Sequence, residues 1–371
     1  MKIAEFKLER LFAKYEFSTK YLLSSSDCDG FSMKEVLDIA TEDELKLWEN
    51  LKLGYTESQG HPLLLEAISQ NYPGLTTENI IIASPGELNF SVMNSIMNAG
   101  DHVIAVSPAY QSLHEVVRSI GCELSLWHPD QESWEFKIEE LQWLIKSNTK
   151  LIIINFPHNP TGTYLKESEF QKIVEIARAN NCYIYSDEMY HKLVHDMPIV
   201  KPIASMYEKG ISLWGTSKSF GMSGVRIGWI ACQDKELIGK IGLFKDYLSI
   251  CSSAPSEILT LIALNHQEYF IQHNLDKIRS NLKALEAFVE KHDQILSYTP
   301  PKAGTTCLLK LNIDISSEEF MEKLIAEHGI MTVPAEYFDI EGKYIRIGLG
   351  RKNIPEVLEI FDVFLESFYK S

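Results

Sequence analysis

Along the middle of the chain two textures alternate. Short apolar, β-branched runs at residues 80–83, 102–106, 151–155, 183–185, 211–214 and 229–232 read as buried strands. Between several of them apolar residues recur at helical spacing; residues 167–180, for example, place Phe170, Ile173, Val174 and Ala177 on one face. Strand–helix–strand alternation over residues 50–280 predicts a largely parallel sheet with helices on both faces. The carboxyl-terminal part differs. A strand at 307–311, an apolar helix at 320–327 and a strand at 344–349 precede a closing helix. Asn353 can cap that helix and Pro355 suits its first turn. Ile354, Val357, Leu358, Phe361, Phe364, Leu365 and Phe368 then form one apolar stripe. The pattern divides the chain into an amino-terminal arm (1–45), a large α/β domain (46–280) and a smaller α+β domain (281–371) that packs with the arm.

Composition narrows the possibilities. With 371 residues, 45% hydrophobic and 23% charged, the chain can bury a sizeable core over two domains, which excludes a disordered or fibrous protein. Lys and Arg number 35 against 51 Asp and Glu, a net charge of −16, and phosphate-rich partners need clustered cations. Nucleic acid and membrane are therefore not the expected partners. A small phosphorylated ligand needs only one or two local cations and stays possible. Six cysteines, at 28, 122, 182, 232, 251 and 307, show neither metal spacing nor disulfide density. They read as buried small hydrophobes in a reducing compartment, with no metal site. The first residues mix charges with apolar side chains and lack a signal core, so the expected setting is cytoplasmic.

In open parallel sheets, ligands sit beyond the carboxyl ends of the strands. Phe156-Pro157-His158-Asn159-Pro160-Thr161-Gly162 follows the strand at 151–155, and Asp187 and Tyr190 follow 183–185. Tyr110 follows 102–106, while the Gly/Ser-rich loop after 211–214 carries Lys218 and, eight residues on, Arg226. An amide, a carboxylate, a phenol, an amine, a guanidinium and an aromatic ring thus converge on one sheet edge. A pyridine cofactor bearing a phosphate asks for that inventory. A carboxylate keeps the ring nitrogen protonated, an amine forms a Schiff base, and cations with backbone N–H groups take the phosphate. An arginine fork suits the phosphate because it donates two charge-assisted bonds.

These motifs resemble those of the class I/II aminotransferases, enzymes of fold type I that use pyridoxal 5′-phosphate. Residues 215–228 look like the family's lysine signature, Asn159-Pro160-Thr161-Gly162 like its asparagine turn, and Asp187 with Tyr190 like its carboxylate–tyrosine pair. The similarity runs through almost the whole chain in the right order. It implies a seven-stranded, mostly parallel sheet domain plus a smaller domain. By the same resemblance, Lys218 forms the Schiff base and shuttles the proton, and Asp187 pairs with the ring nitrogen. Asn159 and Tyr190 hydrogen-bond the ring oxygen, Tyr110 stacks on the ring and Arg226 binds phosphate. Arg346 grips the substrate α-carboxylate, beside Asn159. Tyr55 reaches the phosphate of a neighbouring subunit, implying a homodimer. An L-amino acid and a 2-oxo acid would exchange an amino group with ping-pong kinetics.

Two departures from the family pattern stand out. Where a phosphate-binding serine is usual, three positions before the lysine, this chain has Gly215, so either Thr216 or Ser217 substitutes or the contact is lost. The phosphate turn reads Ser84-Pro85-Gly86-Glu87; the N–H groups of Gly86 and Glu87 can still cradle phosphate, with the Glu87 carboxylate turned elsewhere, towards the substrate. Arg351 reads as a surface charge at a helix start, and His158 and His191 as loop or core histidines. No arginine lies between Arg226 and Arg279, which disfavours a dicarboxylate donor. Residues 24–30, with Asp27 and Asp29, bring carboxylates near the substrate and favour a polar or cationic donor. The chain also resembles a subgroup containing capreomycidine synthase-like enzymes, which act on arginine derivatives. Elimination or cyclisation on the same fold is thus the alternative reaction. A non-catalytic sensor or scaffold is the alternative of another class. Sensors of this fold carry an added DNA-binding domain, for which there is no room before Tyr55, and a cofactor-free scaffold does not need Lys218, Asp187 and Arg226 together.

Overall fold

In the computed structural model, which describes residues 2–369, seven strands form the central sheet. They are β1 (Ile80–Ala83), β2 (His102–Val106), β3 (Glu123–Trp127), β4 (Thr149–Asn155), β5 (Tyr183–Asp187), β6 (Gly210–Gly215) and β7 (Gly228–Cys232), in the spatial order β1-β7-β6-β5-β4-β2-β3. Only β7 runs antiparallel to its neighbours β1 and β6; the other pairings are parallel. The carboxyl ends of β1, β2, β4, β5 and β6 therefore share one edge with the start of β7. Every residue of β1, β2, β6 and β7 is buried. Successive side chains point to opposite faces, so uninterrupted burial means that both faces are covered. The edge strand β3 is absent from the apolar runs because only Trp127 of its five residues is buried.

A second, antiparallel sheet is made of β8 (Leu296–Tyr298), β9 (Thr306–Leu311), β10 (Val333–Pro334) and β11 (Tyr344–Gly348), in the order β10-β11-β9-β8. The helices Ser317–His328 and Ile354–Glu366 accompany it, and the 25-residue helix Gln267–Lys291 runs from the large sheet to it. The closing helix starts with Pro355 in its first turn, but Asn353 makes no side-chain cap bond. Its φ −89° and ψ 7° lie outside the extended region that aims a capping side chain at the helix. Phe368 lies past that helix, in the 3₁₀ turn Ser367–Tyr369, with its ring stacked on Phe320 at 6.1 Å.

The amino-terminal residues join this second layer. Tyr21–Leu22 pairs in parallel with Ile330–Met331. In the helix Lys7–Tyr15, Leu8 and Leu11 are buried in a cluster with Met331, Val333, Phe338 and Tyr344. Phe6, just before this helix, has its ring 4.8 Å from that of Tyr110, in the loop beyond β2. Among the described residues no helix is long and apolar enough to cross a membrane.

Candidate active site

A cavity of about 430 Å³ opens at the edge where the parallel strands end. Its floor begins at Asn155, the last residue of β4, whose Nδ2 donates to the Asp187 carbonyl at 2.9 Å. Asn155 Oδ1 accepts the Asn159 N–H at 3.1 Å, which ties the turn after β4 to the end of β5. Asp187 closes β5, 7% exposed, with Oδ1 accepting the Met189 N–H at 3.1 Å. Burial pushes its carboxyl up to about 6, opposed by that hydrogen bond and by the Lys218 charge. A carboxylate so placed gains most from a cation brought against it. Tyr190 lines the cavity nearby.

The loop after β6 is shaped by the neighbours of Lys218. Ser219 Oγ donates to the His191 carbonyl at 2.6 Å, and the Met222 N–H to the Thr216 carbonyl at 3.1 Å. These bonds leave Lys218 aimed into the cavity, where its Nζ donates to Ser26 Oγ at 2.9 Å. Gly215 explains one departure from the family pattern. A Cβ there would stand 2.8 Å from the Ile227 carbonyl oxygen and 2.9 Å from Gly228 Cα, so no serine fits where β6 meets β7. Of the two substitutes, Thr216 is already engaged, its hydroxyl donating to the Ile227 carbonyl at 3.1 Å. Ser217 lines the cavity and its buried Oγ has no partner.

Gly86 lines the same corner, at the start of the helix Pro85–Ile96. Ser84 Oγ accepts the Glu87 N–H at 3.4 Å. The Glu87 carboxylate takes a hydrogen bond from Ser249 at 2.6 Å and lies outside the cavity lining, so it does not face a substrate there. Arg226 completes the corner from just before β7. Its φ of +60° is left-handed, a conformation that costs about 1–3 kcal/mol for a non-glycine residue.

The roof comes from elsewhere in the chain. Arg346, in β11, is fully buried; Nη1 donates to Asn159 Oδ1 at 3.2 Å and Nη2 to the Ser24 carbonyl at 2.7 Å, while Nε has no partner. Burial lowers its pKa to about 10. Glycines bring residues 24–27 onto this strand: a Cβ at Gly348 would lie 1.8 Å from the Ser25 carbonyl oxygen, and one at Gly350 2.3 Å from that of Asp27. Asp27 thereby reaches the cavity, held by Arg351 at 2.9 Å, so Arg351 is an ion-pair partner rather than a free surface charge. The helix Lys7–Tyr15 and the residue after it supply Glu9, Phe12 and Glu16 to the lining. Glu9 accepts the Tyr110 hydroxyl at 2.7 Å; burial and the Glu9 charge raise that phenol's pKa.

Most of the motif residues therefore meet: Gly86, Tyr110, Asn159, Asp187, Tyr190, Ser217, Lys218, Arg226 and Arg346 line one cavity. Tyr55 does not, being 89% exposed on the surface. His158 is a buried structural group, bridging Thr161 Oγ1 and the Pro108 carbonyl, both at 2.7 Å, and burial lowers its pKa to about 4. His191 is likewise buried, edge-on to Trp214. Glu9, Glu16, Ser26 and Asn155 were not singled out from the sequence. Asn155 could have been, as the last residue of its strand. The others depend on long-range packing that no local spacing reveals. A buried carboxylate, an amine, an unpartnered hydroxyl and a helix start beside an arginine fit a phosphorylated pyridine.

The family model for aminotransferase class I and II matches residues 18–361. A crystal structure of a PLP-dependent aminotransferase from Streptococcus suis superposes with a TM-score of 0.93 over 99% of both chains, at 30% identity. The (5-formylfuran-3-yl)methyl phosphate transaminase of Methanocaldococcus jannaschii is 30% identical over 87% of this chain and 86% of its own. Capreomycidine synthase of Streptomyces vinaceus is 24% identical over 67% of this chain and 64% of that protein.

Proposed function

The chain belongs to the class I and II aminotransferases, a pyridoxal 5′-phosphate-dependent family, and we propose that the cavity moves an amino group from an L-amino acid to a 2-oxo acid in two half-reactions. The bound cofactor supplies an electron sink for the pair left at the substrate Cα. In this reading Lys218 would hold the cofactor, and its free amine would take the proton from the substrate Cα. Asp187 holds the proton on the ring nitrogen, and Asn159 and Tyr190 hydrogen-bond the ring oxygen. Tyr110 covers a ring face. Gly86, Ser217 and Arg226 hold the phosphate, while the Glu87 N–H is taken by Ser84 Oγ, and Arg346 holds the α-carboxylate. The convergence of Lys218, Asp187, Arg226 and Arg346 on one cavity carries this assignment.

A homodimer belongs to the same reading. Tyr55 is exposed beside Leu53, 88% exposed, and a second copy would bring Tyr55 to the neighbouring phosphate. We propose the division into arm (1–45), large domain (46–280) and small domain (281–371) on the support of the two sheets, with the helix Gln267–Lys291 crossing the last boundary; residues 1, 370 and 371 lie outside the described ones. The six free cysteines support a reducing, cytoplasmic setting.

The test is a half-reaction. Protein loaded with pyridoxal phosphate is mixed with an amino acid, and its visible absorbance is followed. Transfer predicts loss of the absorbance with one 2-oxo acid released, and recovery when a second 2-oxo acid is added. Ammonia released without an acceptor would mean elimination instead. Failure to take up the cofactor would end the reading.

A further inference from the structure

We propose that the donor is an amino acid whose side chain ends in a cation, an ammonium or a guanidinium, received by the acidic wall that Glu9, Glu16 and Asp27 present to the cavity. The inference rests on the aminotransferase reading and adds the substrate class to it.

The cavity lining carries three cations, Lys218, Arg226 and Arg346. The first two are committed to the cofactor in the reading above. Arg346 is fully buried, and its unpartnered Nε marks a place for one anion, the α-carboxylate. No lining cation of this chain is left for a second carboxylate. Arg279, the one arginine between Arg226 and Arg346, lies outside the lining and donates to the His195 carbonyl at 2.5 Å.

The remaining charges are negative, and they are unequally satisfied. Asp27 receives Arg351 at 2.9 Å and the Ser223 hydroxyl at 3.2 Å. Glu9 receives the Tyr110 hydroxyl. The half-buried Glu16 carboxylate has no hydrogen-bond partner among the described residues, although it lines the same cavity. Its pKa is raised, first by burial and then by the charges of Asp27 and Glu9, against Arg351 and Lys218. A half-buried carboxylate facing two others is stabilised by an incoming cation. A dicarboxylate donor would meet repulsion at the same wall. The cation that suits this wall is one carried by a substrate side chain.

The experiment pairs each cationic donor with a neutral counterpart: ornithine with norvaline, lysine with norleucine, arginine with citrulline. Half-reaction kcat/KM is measured on the loaded enzyme, with aspartate and glutamate alongside. The α-methyl forms of ornithine and norvaline, which have no α-proton to lose, report binding alone by calorimetry. The expected result is a preference of about tenfold or more for the cationic member. Glu16→Gln should reduce that ratio about tenfold in kcat/KM and in α-methyl binding, and Glu16→Asp should retain part of it. The ranking of ornithine, lysine and arginine then distinguishes ammonium from guanidinium. Faster reaction of neutral or dicarboxylate donors, or a ratio that Glu16→Gln leaves unmoved, overturns the inference while the transfer reading stands. If no donor reacts, the transfer reading falls, and the α-methyl binding ratio still decides the inference.

Discussion

The floor of the cavity is cut from the ends of neighbouring strands in one sheet, whereas its roof is assembled from the helix Lys7–Tyr15, residues 24–27 and β11. On the floor, side chains are fixed by short bonds to adjacent strands, such as Asn155 to Asp187 and Ser219 to His191. On the roof, they are fixed by contacts between distant positions: Glu9 to Tyr110, Asp27 to Arg351, Arg346 to Ser24. The charges differ as well. Floor and phosphate corner combine Lys218, Arg226 and Asp187, while the roof surrounds Arg346 with Glu9, Glu16 and Asp27. Labour is divided between them: the rigid floor suits bond-making, and the composite roof suits choosing the substrate.

The largest expected effect lies on the floor. Lys218→Ala should lower kcat by roughly four orders of magnitude or more, while cofactor binding through Arg226 and Asp187 persists. Single-turnover kinetics beside equilibrium dialysis separates the two. On the roof, Arg346→Gln should reduce kcat/KM by about a hundredfold to a thousandfold, because it leaves the substrate carboxylate unpaired in a buried site. Arg346→Lys should recover only part of that loss, since a point charge does not replace the fork held by Asn159 and Ser24. A near-full recovery would show that the roof needs charge alone.

Asp187 gives a smaller effect, read in stability. The folded chain without cofactor holds this proton up to about pH 6, whereas an unfolded aspartate releases it near pH 3.8. The folded state therefore binds more protons in that window, and stability falls as pH rises through it. Asp187→Asn removes this loss, about 2 kcal/mol between pH 4 and pH 7. Denaturant titrations at both pH values should show the cofactor-free variant gaining on the wild type as pH rises, although it binds the cofactor more weakly. Smallest is Gly215→Ser, which should destabilise by about 1–3 kcal/mol through its contacts with Ile227 and Gly228. Unchanged stability would mean that the β6–β7 junction yields, and that close packing does not explain the glycine.

The floor was legible in the sequence because each of its motifs is contiguous and follows one apolar run. Asn159, Asp187, Lys218 and Arg226 could be aligned at a common edge without any knowledge of long-range packing. The roof was legible at Arg346, where a family motif reached it, and at Asp27, in the acidic run at residues 24–30. Glu9 and Glu16 gave no signal, since their place depends on Leu8 and Leu11 packing beside Met331 and Val333. Arg351 read as a surface charge because its partner Asp27 is 324 positions away. At the phosphate corner the sequence left Thr216 and Ser217 open; backbone carbonyls that engage the Thr216 hydroxyl separate them. The half-exposed edge strand β3 escaped for lack of a buried stripe.

Lys218 is the residue proposed to carry the cofactor. Borohydride reduction of the loaded protein, followed by peptide mass mapping, tests this directly. The prediction is a single reduced pyridoxyl adduct on the peptide containing Lys218, lost on prior exchange with an amino donor and absent from Lys218→Ala. An adduct on another lysine, or persistence of the label in Lys218→Ala, would contradict it.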